Sequence, residues 1–148
     1  MLKRLRERAG SESGFTLIEL LVVMLILGIL AAIAIPAFLN QKNKATDSSA
    51  KVNARTLETS METCSTDNDG QYTPCTIAAL RALEPQIPQA GASVTANPTT
   101  PAGGYTVSAV SSNGNTFTIV RSGSGQITRS CTVPAGNDRG GCQTGNTW

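Results

Sequence analysis

The chain has 148 residues, with 12 Lys and Arg, 10 Asp and Glu and no His, a length that suits one small domain plus an anchor. The formal charge of +2 lies entirely in Lys3, Arg4, Arg6 and Arg8 set against Glu7 and Glu12. The remainder is formally neutral, which argues against a general nucleic-acid binder, and the lack of histidine removes the commonest metal ligand and general base.

Residues 1–14 form a polar, basic leader ending in Ser11-Glu12-Ser13-Gly14. Residues 15–39 are an apolar run that begins abruptly at Phe15. At 1.5 Å per residue this run measures roughly 37 Å as a helix, enough to span a bilayer. One acid, Glu19, sits near its start. An acidic residue at a membrane-helix centre costs roughly 2.5–3.5 kcal/mol, while each Leu, Ile, Val or Phe returns about 0.3–0.6 kcal/mol. The run therefore still inserts, and Glu19 calls for a functional reason. Gly28 and Pro36 interrupt the pattern, and Pro36 removes a backbone donor and is expected to kink or loosen the helix. The cationic leader stays in the cytoplasm and sends the C-terminal part across.

Beyond Leu39 the helix is expected to continue to about Thr63 as an amphipathic segment, residues 40–63. Ala50, Ala54, Leu57, Met61 and Cys64 recur at helical spacing and mark its packed side. Lys42, Lys44, Lys51, Arg55 and Glu58 lie off that stripe and read as a solvated or lipid-headgroup face.

Residues 64–104 read as a connecting loop with one short helix. Asp67-Asn68-Asp69-Gly70 is a turn signal that also resembles the opening of a calcium loop. Ala78 stands where that loop would need its glutamate, so no metal site is assigned. Thr76 to Glu84 carries Ile77, Leu80 and Leu83 at helical spacing before Pro85, and Pro88, Pro98 and Pro101 mark a loop to Gly104.

Residues 105–148 read as a three-stranded antiparallel meander with a Gly-rich tail. Tyr105 to Val110, Thr116 to Val120 and Ile127 to Val133 alternate and are separated by turns. Tyr105, Val107, Phe117, Ile119, Ile127 and Cys131 are the positions expected to face the helix. Trp148 packs either on the surface or between subunits. The fold class is α+β, a long N-terminal helix laid by its second half on this sheet.

Cys64, Cys75, Cys131 and Cys142 include no Cys-x-x-Cys and have no histidine beside them, so two structural disulfides in an oxidising compartment fit better than zinc or redox chemistry. Of three pairings, Cys64–Cys75 and Cys131–Cys142 are favoured because short, turn-rich loops close easily. Each bond stabilises by up to about 3 kcal/mol in the loop-entropy account. No catalytic constellation can be assembled, and neither an enzyme nor a cofactor is expected.

Basic leader, Gly14-Phe15, Thr16-Leu17-Ile18-Glu19, an apolar helix carrying Pro36 and a disulfide-bearing β domain together resemble a type IV prepilin, most specifically over residues 10–39. The Cys- and Gly-rich ending is similar to major pilins of Gram-positive bacteria. The resemblance implies a prepilin peptidase and N-methyltransferase that cuts between Gly14 and Phe15 and methylates the new amine. It implies that Glu19 meets the Phe15 amine of a neighbouring subunit. It also implies a helical homopolymer raised by an assembly platform and ATPase, membrane-held before assembly and extracellular after it.

Three other readings remain. Ala32-Ile33-Ala34 looks like an ordinary secretory cleavage site, but the run is long for a signal and Glu19 would serve nothing there. A pseudopilin of a type II secretion system shares residues 10–39, and its major class commonly has a calcium loop where this chain has Cys131 and Cys142. A competence pilin would favour exposed cations on the β domain, where Arg121, Arg129 and Arg139 are sparse.

Overall fold

The computed structural model describes residues 14–89 and 93–148, so expectations for residues 1–13 lie outside it. Its elements in chain order are α1 (Leu17–Asp67), α2 (Ile77–Leu83), β1 (Val94–Asn97), β2 (Tyr105–Val110), β3 (Thr116–Arg121) and β4 (Ile127–Thr132). The chain divides into two units, one ending at Phe38 and the other spanning Leu39–Trp148.

The first unit is the apolar part of α1. Every large apolar side chain from Leu17 to Leu39 is 44–80 % exposed, on all sides of the helix. By length and composition this helix can cross a membrane. The helical assignment runs on through Pro36.

The second unit holds the core. The side of α1 carrying Ala50, Ala54, Leu57, Met61 and Cys64 is buried with Tyr105, Val107, Ala109, Phe117, Ile119 and Cys131 in one cluster. Alternation puts these strand residues on one face, because successive strand side chains point to opposite sides. The chain ends α1 with a Schellman closure. Asp69 adopts the left-handed conformation (φ 53°) and the Gly70 N–H reaches back to Ser65 O at 2.8 Å, satisfying a terminal carbonyl. Thr76 caps α2 by accepting from the Ala79 N–H.

The sheet has four strands, in the order β1-β2-β3-β4, and all neighbours are antiparallel. The three-stranded expectation, and the treatment of 64–104 as loop with one helix, are thereby corrected. Val94–Asn97 zips onto β2 with Val94 opposite Ala109. Four residues bounded by Pro98 are too few to show alternation in sequence; pairing along the free edge of β2 makes them a strand. A second correction concerns Ile127, which is 41 % exposed. It lies in register with Arg121, where an ion pair with Glu62 at 3.0 Å replaces apolar cover. Fully buried Ala109 takes its place in the core list.

The supposed headgroup face is also corrected in part. Lys51 Nζ donates to Gly141 O at 2.6 Å and lies 5.3 Å from the Phe117 ring centroid. The Arg55 guanidinium stacks 5.6 Å from the Trp148 ring, and Arg129 donates to both Glu58 oxygens at 3.1 Å. Trp148 packs edge-on against Phe117 and donates from Nε1 to Ser130 O at 2.8 Å. These side chains clamp the C-terminal tail onto the helix and β4 through desolvated stems and rings. Lys42 and Lys44 alone of the five basic and acidic residues read that way remain exposed and unclamped.

Two covalent ties and two polar latches complete the unit. Cys64 is bonded to Cys75, and Cys131 to Cys142. Asp47, fully buried, accepts from Asn115 Nδ2 at 3.0 Å and from the Gly141 N–H at 2.8 Å, fixing the β2–β3 turn and the tail to α1. Gly140 sits at φ 50°, and a Cβ there would run into the Asp47 carboxylate. At the other end Glu62 accepts from Tyr72 Oη (2.8 Å) and Tyr105 Oη (2.9 Å) as well as Arg121.

Gly140→Ala should destabilise the chain by about 1–3 kcal/mol through left-handed strain and carboxylate overlap. Asp47→Ala should cost about 1–3 kcal/mol by leaving buried donors unpaired. The double variant should cost less than the sum, because the carboxylate that the added methyl would strike is gone. Denaturant unfolding of the detergent-solubilised chain, followed by circular dichroism, measures the three.

Burial, then the hydrogen bond and charge of Glu62, push the Tyr105 hydroxyl far above the usual tyrosine range, and the same causes raise Tyr72. The folded state therefore keeps these protons longer than the unfolded state does. That contribution is fully present below about pH 10 and is lost as pH climbs toward the folded values. Unfolding midpoints measured across alkaline pH should fall, and Tyr105→Phe should flatten the fall.

Candidate processing and assembly site

The local sequence Thr16-Leu17-Ile18-Glu19 is a capping box, and the structure closes it. Helix α1 starts at Leu17, which makes Thr16 the cap and Glu19 the third helical residue. The Glu19 N–H donates to Thr16 Oγ1 at 3.2 Å. In return Glu19 Oε2 accepts from the Thr16 N–H at 3.2 Å and from Thr16 Oγ1 at 3.0 Å. The Leu20 N–H bonds Thr16 O at 3.2 Å and begins the helical ladder. A carboxylate in the first turn also lies at the positive end of the helix dipole, where it is favoured.

Gly14 and Phe15 precede this cap, outside the helix and exposed, with Phe15 at 80 %. A Cβ built on Gly14 would meet nothing within 4 Å. Among the described residues nothing covers the bond between them, and it lies outside the helical hydrogen bonds. An amine formed at Phe15 would adjoin the very N–H that Glu19 already holds. The arrangement supplies one carboxylate able to serve either as a helix cap or as a counter-ion.

Gly14, Phe15 and Glu19 lie together at this helix start, whereas Pro36 lies about five turns on in the same unit and is not brought to it. The four cysteines are all in the second unit, in the bonds described above. Among the described residues no group of three acids or cysteines is placed to hold a metal, and Asp67 and Asp69 instead belong to the end of α1. Thr16 stands in the motif read from sequence, but its capping role emerges only here. Its signal was a hydroxyl three residues before a glutamate at the edge of an apolar run.

Comparison with known proteins bears on this segment. The family model described as "Prokaryotic N-terminal methylation motif" matches residues 10–35. The chain is 46 % identical over 56 residues to the type IV major pilin protein PilA of Myxococcus xanthus, covering 38 % of this chain and 26 % of that protein. It is 45 % identical over 56 residues to the type IV major fimbrial protein FimA of Dichelobacter nodosus, covering 38 % and 36 %. It is 36 % identical over 83 residues to the type II secretion system core protein G of Klebsiella michiganensis, covering 55 % and 57 %. The chain thus spans from about a quarter to under three fifths of the relatives it matches. No solved structure matches it. Residues 10–35 thus carry the N-terminal methylation motif, and the chain is similar over part of its length to type IV major pilins and to a type II secretion core protein.

Thr16→Val keeps the bulk and removes the capping oxygen, so it should loosen the first turn by about 1 kcal/mol. Amide hydrogen exchange in micelles should then speed up at Glu19 and Leu20 and leave residues beyond Ile26 unchanged.

Proposed function

We propose that this chain is the structural subunit of a type IV pilus, cut between Gly14 and Phe15 by a prepilin peptidase that also methylates the Phe15 amine. Before assembly the apolar half of α1 holds it in the cytoplasmic membrane, leader inside and second unit outside. It is then drawn by an assembly platform and ATPase into a helical homopolymer at the cell surface, serving adhesion, motility or DNA uptake. The chain has no catalytic role in this reading.

The observation that carries the reading is an all-round exposed apolar helix with one carboxylate in its first turn. Full burial of a Leu, Ile or Phe side chain yields roughly 1.5–3 kcal/mol, so the run favours lipid or its own kind by tens of kcal/mol. A lone acid costing about 2.5–3.5 kcal/mol does not reverse that. Cutting before the run leaves it as the new N-terminus, where the Phe15 amine of one copy and Glu19 of another neutralise charges that are costly in an apolar core. Gly28 and Pro36 then permit local adjustment as the helix leaves lipid for the filament. Identical subunits using the same two surfaces make heterologous contacts, which propagate as an open helix.

A second reading, a pseudopilin of a type II secretion system, is favoured by the longer match to core protein G. The Cys131–Cys142 staple that closes the tail favours the pilus.

Electron microscopy of material sheared from the surface of producing cells, with peptide identification, separates the two readings. Long fibres made of this chain, beginning at methylated Phe15, support the pilus; secretion without such fibres supports the pseudopilin. Glu19→Ala should still be inserted and cleaved, and should yield no filaments. Filaments at normal abundance from that variant refute the role given to Glu19.

A further inference from the structure

Charge along the second unit's part of α1 is polarised. Lys42, Lys44, Lys51 and Arg55 come first with Asp47 among them; Glu58 and Glu62 follow within the helix, Asp67 at its end and Asp69 beyond it. Most of these charges are consumed within the chain. Lys51 and Arg55 lie on the tail, Glu58 on Arg129, Glu62 on Arg121 and two tyrosines, and Asp47 in its buried latch. Lys42 and Lys44 at one end, and Asp67 and Asp69 at the other, are exposed and make no ion pair among the described residues.

A second observation marks the acidic end as short of a cation. The last turn of α1 contains no basic residue, so Asp67 adds its charge to the negative end of the helix dipole. A lysine brought from outside relieves both. Asp138 is held below the usual carboxylate range by the Gly140 N–H at 3.0 Å, then by Asn43 Nδ2 at 3.1 Å, and least by the charge of Lys44, with which it forms no ion pair.

We propose that Lys42 and Lys44 of one copy dock on Asp67 and Asp69 of another, end to end. This rests on the filament reading and adds to it the contact that sets the copies' axial stagger. The two poles are separated by 25 residues of α1 (67 − 42), so docked copies are displaced along the helix by about 37 Å. The contact is between second units, independent of the Phe15–Glu19 pairing, and it is the same at every joint of the polymer.

The test is filament yield, by shearing and immunoblot, from cells making the full chain. Lys42→Glu with Lys44→Glu puts acid against acid. Asp67→Lys with Asp69→Asn leaves the left-handed position to a residue that tolerates it. Two exposed pairs predict a loss of about two- to tenfold in yield from each, with recovery when all four changes are combined. Thiol-blocked gels showing both disulfides intact exclude misfolding as the cause. Wild-type yield from either two-site variant, or a combined variant as poor as its parents, overturns the proposal while leaving the filament reading intact. Loss of precursor from membranes with the lysine variant alone, unrecovered in combination, assigns Lys42 and Lys44 to lipid headgroups and overturns it as well. Absence of fibres from the unaltered chain would instead sink the filament reading.

Discussion

Between Leu17 and Leu39 the chain makes a helix whose large apolar side chains none of the described residues cover. Its large apolar side chains stay 44–80 % exposed, with no polar side to offer water. In an amphipathic helix one stripe is buried and the other solvated, and here no such division exists. The requirement for an external apolar partner follows from that uniformity and governs everything else. Lipid satisfies it, and so do other copies of the same helix. A chain able to exchange one for the other needs a signal that separates the two states, because the bulk apolar energy is similar in both.

Glu19 is suited to be that signal because its energy, unlike that of the leucines, depends on what stands beside it. In the structure it is occupied by Thr16, through two donors to one oxygen. The box satisfies helix-terminal donors and keeps the acid at the helix rim instead of deep in the run. In the proposed reading, an amine formed at Phe15 would change the competition by adding a full positive charge one residue before the cap. The Thr16 bonds are charge-assisted on the acceptor side only, whereas an ammonium would add full charge–charge attraction to its hydrogen bond and so could displace the hydroxyl and the amide. Location thus does the work: the acid sits where the cap needs it and where processing would create its stronger partner.

How much of this could be read from sequence varied with the range of the interaction. Ala50, Ala54, Leu57, Met61 and Cys64 announced the buried side of α1, because helical spacing is local and repeats. β2 and β3 were legible from alternation alone, and the disulfide partners from loop length. What escaped depended on the sheet edge or on pairs distant in sequence. β1 exists because β2 offers it an edge, and Ile127 lost its place in the core to an ion pair arriving from α1. Asp47 looked like one more polar residue, yet its partners Asn115 and Gly141 lie 68 and 94 positions away. Lys51, Arg55 and Glu58 were placed correctly off the stripe but assigned the wrong neighbour. No periodicity reveals that a tail will fold back over them.

Those long-range ties share a distribution that bears on the two functional readings. The apolar core of the second unit is small, and two of its helix positions are alanines, so burial alone leaves little surplus over chain entropy. The additional ties gather at the segments least able to hold themselves. One disulfide closes the chain after α1 and the other the tail after β4, while Asp47, Lys51 and Trp148 fasten that same tail. In the fibre reading each subunit would stand exposed to solvent and proteases along a surface polymer. There an opened loop is a cleavage site, and a single nicked copy weakens every joint above it. Covalent staples hold both segments closed at any ligand concentration and so slow their opening wherever the second unit is exposed.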